Sequence, residues 1–150
     1  MNNGAKHFAG LRVTQDRNAL TKFPGIKLIR SRKGVDHFLF NQFGEVGWAG
    51  NGGFHAINLA LQFGARRIVL VGFDMSIDHG YHWHGRHDPG LNNPKQAGVD
   101  RWRMVLDAQK PILDRLGIEV VIGSPNSRLT AYRKLPFLEA IGGNHQNAGQ

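Results

Sequence analysis

With 150 residues and 41% hydrophobic content, the chain is long enough for one domain with its own core and too apolar for disorder. It has no cysteine, which excludes disulfides and thiolate metal sites. No apolar run reaches the ~18 residues of a membrane helix, and the N-terminus has no signal-peptide core, so a cytoplasmic protein without a membrane segment is expected. A net charge of +8 points to anionic partners, but no block of five like charges and no nucleic-acid motif occurs, so nucleic acid is a partner the sequence leaves open rather than favours.

In chain order, Leu11-Arg12-Val13-Thr14 and Ile26-Lys27-Leu28-Ile29 read as short strands around a turn at Phe23-Pro24-Gly25. Residues 34–50 read as loop, with a short strand at Phe38–Phe40. The apolar face of Phe54, Ile57 and Leu61 predicts a helix over Gly52–Phe63, with Asn51 as its N-cap and Gly64 as its stop. Arg67–Gly72 has the near-continuous apolar pattern of a strand buried on both faces. The segment 74–98, rich in Gly, Pro, Asn and His, reads as a long functional loop. Trp102, Val105, Leu106, Gln109, Ile112, Leu113 and Leu116 predict a helix over Val99–Leu116, interrupted at Pro111 and ended by Gly117. A second buried strand at Ile118–Ile122, a turn at Ser124–Ser127 and a helical piece near Leu129–Leu135 follow. Residues 142–150 read as a flexible tail. Alternation of apolar strands with helices makes the fold class α/β with a mostly parallel sheet flanked by helices.

The chemistry concentrates in two places. A glycine-rich turn, Gly50-Asn51-Gly52-Gly53, opens the first long helix, where free backbone N–H groups and a partial positive charge suit a phosphate. Close helix packing explains the same glycines. The strand that follows ends at Asp74, a candidate to orient a ligand hydroxyl or to cap its own loop. In that loop, His79, His82, His84 and His87 place four of the chain's eight histidines within nine residues. An imidazole there suits proton removal from a sugar hydroxyl. With Asp78 or Asp88 the same residues supply donors enough for zinc, although at no named zinc spacing. Packing across the sheet edge is the third reading.

The glycine turn, "GARRIVLVGFDMS", the His/Tyr/Trp loop, the long helix and "LGIEVVIGSPNSRLTAY" occur in an order that resembles the C-terminal half of the family 42 sialyltransferases. It also resembles a broader Rossmann-like set that includes archaeal-type hydroxymethylpterin diphosphokinases and phage-borne relatives. The resemblance covers roughly residues 47–138 and is carried by "LVGFD" and "SPNSRL". It implies a single Rossmann-like domain over residues 1–141 that transfers a sugar from a nucleotide donor without a metal. On this resemblance Asn51, Gly52 and Gly53 contact the nucleotide with Asp74, Asn126 and Ser127, His84 or His87 is the base, and Tyr81 assists the departing phosphate. A first tyrosine of the family falls at Ser76 and is missing. The front strand and glycine turn of the relatives are also missing, which raises the alternative of a truncated, non-catalytic binding or assembly module. Such a module is expected to be a homo-oligomer, because a cut sheet exposes an edge.

Overall fold

The computed structural model describes residues 8–78, 80 and 93–142. It is a mixed α/β molecule in which every paired strand runs parallel to its neighbour, in three small sheets flanked by helices. The order is β1 (Val13–Thr14), α1 (Ala19–Lys22), β2 (Lys27–Leu28), β3 (Arg30–Arg32), β4 (Glu45–Gly47), α2 (Gly52–Gln62) and β5 (Arg67–Leu70). Then come α3 (Gln96–Asp107), α4 (Lys110–Arg115), β6 (Glu119–Ile122), β7 (Arg133–Lys134) and α5 (Phe137–Gly142).

The sheet of β5, β6 and β7 stands where the apolar runs place two strands, but β5 is not buried on both faces: it is an edge strand that ends at Leu70, its one buried residue, and Val71 is 52% exposed. Leu70 pairs with Ile122 at one end of the β5–β6 ladder, and Arg67 pairs with Glu119 at the other, where their side chains form a 2.7 Å ion pair. Val121 and Ile122 are almost wholly buried and join Phe54, Leu106, Leu113 and Leu129 in the core. The helices end as their glycines predict. After α2, Gly64 N–H bonds to Leu61 O and Ala65 N–H to Ala60 O; after α4, Gly117 N–H bonds to Asp114 O and Ile118 N–H to Leu113 O. Both are the paired closure that a left-handed residue makes, and Gly64 and Gly117 have φ of 86° and 65°.

Four local expectations are corrected. The helix expected over Val99–Leu116 is interrupted as expected, but the break between α3 and α4 falls at Ala108–Gln109 and not at Pro111. Pro111 stands at the start of α4, where its missing N–H breaks no helical bond. Near Leu129–Leu135 the chain is not helical. The Asp107 carboxylate takes the N–H groups of Thr130 and Ala131, and Tyr132 Oη donates to Leu106 O, which commits this backbone to an extended path into β7. In the segment 34–50, read as loop with a strand at Phe38–Phe40, the strand is β4 at Glu45–Gly47, and Phe38–Phe40 is not one, because its backbone bonds go to side chains: Phe38 N–H to Gln109 Oε1, Leu39 N–H to Asn58 Oδ1, and Leu39 O to the amides of Asn58 and Gln62. The strand expected at Ile26–Ile29 instead runs on to Arg32 and changes partner at the buried Ile29. Ile29 N–H bonds to Thr14 O in the β1 strand, and the next N–H, of Arg30, bonds to Gly44 O beside β4.

Candidate functional site

A cleft of about 280 Å³ opens at the carboxyl ends of β4 and β5. Two consecutive turns build it. The first, Trp48–Asn51, leads from β4 into α2; the second, Val71–Asp78, leaves β5. Asn51, Gly53 and Asp74, three of the residues singled out in the sequence, line this one cleft, together with Phe73, Met75, Ile77, Val99 and Trp102.

The first turn is tight. Ala49 and Gly50 both have positive φ, 41° and 69°, so a non-glycine residue is held in the left-handed region at a cost of about 1–2 kcal/mol. Arg101 on α3 offsets that cost. Its guanidinium donates to Ala49 O at 2.7 Å, pairs with the Asp36 carboxylate at 2.5 Å and lies 5.0 Å over the Trp48 ring. His55 adds a second tie: its Nε2 donates to Trp48 O at 2.7 Å while Nδ1 meets the Gln15 amide at 2.7 Å. The Trp48 carbonyl thereby fixes the tautomer of this imidazole, which is occupied in holding the turn.

Asn51 has extended backbone, and its Oδ1 accepts from Phe54 N–H at 3.0 Å, so it is the N-cap of α2. Gly52 is open to solvent, with nothing within 4 Å of where a Cβ would stand. Gly53 is different. A Cβ there would meet the Phe73 ring at 2.6 Å, so its lack of a side chain is required by an aromatic neighbour across the cleft. Among the described residues nothing accepts from Gly52 or Gly53 N–H, which leaves two donors at the start of an eleven-residue helix.

The second turn carries Gly72 at φ 73° and Met75 at φ 51°, the latter buried. It is pinned from the segment after β6. Gly72 N–H bonds to Ser124 Oγ, Ser127 Oγ donates to Phe73 O at 2.5 Å, and Arg128 N–H bonds to Asp74 O at 2.8 Å. The Arg128 guanidinium pairs with Asp78. The Asp74 carboxylate is exposed and has no partner among the described residues. Backbone bonds therefore fix where Asp74 stands.

Ser127 is buried and engaged with Phe73 O and Leu129 N–H, so it braces the cleft from behind. Asn126 is exposed and does not line the cleft. Asp78, considered above as a zinc ligand, is committed to Arg128. Among the described residues no three His, Asp or Glu side chains gather in a group that could hold a metal. Tyr81, His84 and His87, with His79, His82 and Asp88, lie outside the described residues. Sequence reasoning missed Arg101 and Asp36; Trp102, read as part of a helix's apolar face, packs against the core and also walls the cleft. No spacing rule links residues on α3 to a turn some fifty positions earlier.

No helix among the described residues is long and apolar enough to cross a membrane. No protein-family model matches the chain, and no curated protein or solved structure matches it either.

Proposed function

We propose that this cleft binds a nucleotide, that the domain is Rossmann-like, and that it transfers a sugar from a nucleotide donor. The observation that carries the reading is the convergence of Asn51, Gly53 and Asp74 from two successive turns at strand carboxyl ends, the position where open α/β folds hold ligands. In this reading the N–H groups of Gly52 and Gly53 receive a phosphate, the Asp74 carboxylate accepts from ribose hydroxyls, and Trp102, Met75 and Ile77 wall the base. His84 or His87 takes the proton of the acceptor hydroxyl as its oxygen bonds to the anomeric carbon. Tyr81 hydrogen-bonds the nucleotide phosphate as it leaves. These three roles rest on the sialyltransferase resemblance.

A melting panel with CMP, CMP-sialic acid, CDP, UDP-sugars, GTP and ATP tests it. One nucleotide at a hundredfold excess over Kd should stabilise the protein by about 2.7 kcal/mol. Asp74→Ala should leave the unliganded stability within about 0.5 kcal/mol, because it removes no contact seen among the described residues, yet abolish the nucleotide-dependent shift. A shift unchanged by Asp74→Ala would remove the cleft from the reading. A His84/His87 double substitution that left a demonstrated transfer rate unchanged would remove the chemistry.

The second reading, an assembly module, is favoured by α5. There Phe137, Leu138 and Ile141 are 48%, 76% and 52% exposed, while Ala140 alone is buried. A flat nucleotide panel, with melting that rises with protein concentration, would select this reading.

A further inference from the structure

We propose a second site, separate from the nucleotide cleft, that binds a small phosphomonoester between β1 and β3. A cleft of about 290 Å³ lies there, lined by Gln15, Arg17, Leu28, Ile29, Arg30 and Ser31, and it shares no residue with the first.

The arginines among the described residues single it out. Most described arginines are spent: Arg12 on Pro24 O, Arg32 on Glu45 and Gln42, Arg66 on Leu116 O, Arg67 on Glu119 and Arg101 on Asp36. Arg103 pairs with Asp100, Arg128 with Asp78 and Arg133 with Glu139. Arg17, Arg30 and Arg115 alone among the described arginines have no acceptor within the described residues, and two of these three line the same cleft. Glu45 stands opposite Arg30 in the β3–β4 register, but its carboxylate turns to Arg32 at 3.7 Å. No carboxylate lines the cleft.

Two guanidiniums and the Ser31 hydroxyl, with no anion of their own, form a donor set for a doubly charged oxyanion, to which arginine's planar fork is fitted. Leu28 and Ile29 add an apolar floor for the group that carries the phosphate. The volume holds a phosphate with a small sugar but not a folded polymer segment. Gln15 connects the two clefts, because its amide meets His55, which holds the Trp48 turn at the start of α2.

Isothermal titration calorimetry with inorganic phosphate and with ribose 5-phosphate, at constant ionic strength set by sodium chloride, tests the site. Saturable binding is expected, weakened about tenfold or more by Arg17→Ala and by Arg30→Gln, and unchanged by Arg115→Ala. Both arginines are exposed, so the variants should keep the wild-type melting temperature and circular dichroism. Absence of binding to the wild-type protein would overturn the proposal. Equal weakening by Arg115→Ala would assign the effect to diffuse charge. Loss on Asp74→Ala with the arginine variants unaffected would place the ion in the first cleft. Because the nucleotide panel responds to Asp74 and this titration to Arg17 and Arg30, the two readings fail separately.

Discussion

The two ends of the chain are held together by different means. Among the described residues from β5 to α5 the backbone closes mostly on itself in ladders and helices, and apolar side chains fill the space between them. From Phe38 to Gln42, ahead of the β4 strand, the backbone closes on three buried amides instead. Asn58, wholly buried, serves Leu39 N–H, Leu39 O and Gly47 N–H. Gln62 donates to the carbonyls of Leu39, Gln42 and Glu45, and Gln109 links Phe38 N–H with Asp36 O. Stacking of Phe38 on Phe54, with ring centroids 4.4 Å apart, supplies the apolar part. Ahead of β4, between Phe38 and Gln42, side chains take over the hydrogen bonds that a ladder would supply, and the same amides tie Glu45 and Gly47 of β4 to α2.

The largest expected effect comes from Asn58→Ala. It strands two buried backbone N–H groups, those of Leu39 and Gly47, while Leu39 O keeps the Gln62 amide, and should cost about 4 kcal/mol in denaturant unfolding, against about 3 kcal/mol for the cavity left by Leu113→Ala in the other region. Hydrogen exchange sharpens the contrast. Asn58→Ala should lose protection at Leu39 and Gly47 before the amides of residues 119–122 respond, and a uniform loss in both variants would show that the two regions open as one unit.

Next in size is an alkaline effect confined to the β5–α5 region. Burial, reinforced by Asp107 and Asp114, pushes the Tyr132 phenol well above its ordinary value near 10. The folded state therefore keeps a proton that the unfolded chain loses first. Stability from this source is complete below pH 10 and falls as pH rises beyond it. In a Tyr81→Phe variant, which leaves Tyr132 as the only phenol, absorbance near 295 nm should stay flat above pH 10 until the protein unfolds. Ordinary titration around pH 10 in the folded protein would contradict the burial.

The smallest effect is at the junction of the two regions. Asn51→Ala removes the cap of α2 and should cost about 1 kcal/mol, read as a modest fall in Tm, with Asn51→Gly costing only a few tenths.

What could be read beforehand follows the same division. The start and stop of α2 and the positions of β5 and β6 were legible, because caps, glycine stops and hydrophobic runs act through neighbours in sequence. The path of residues 34–50 was not, because its partners Asn58, Gln62 and Gln109 are polar residues on helices and carry no mark that they face inward. The β7 strand was hidden for a related reason: Asp107, more than twenty positions away, decides the conformation of Thr130 and Ala131. In the cleft, Asn51, Gly53 and Asp74 stood out from glycine spacing and a strand's acidic end. Arg101 did not, since its role is to hold a turn reached only through the fold.

Gly53 carries a last consequence for how such chains are compared. The space its missing methyl leaves is filled by Phe73, so positions 53 and 73 form a size-matched pair across the mouth of the cleft. A glycine retained here across related sequences would therefore be a record of the aromatic ring opposite, and a change at 53 should be sought together with a smaller residue at 73. Invariance at this position would report shape before it reported a ligand.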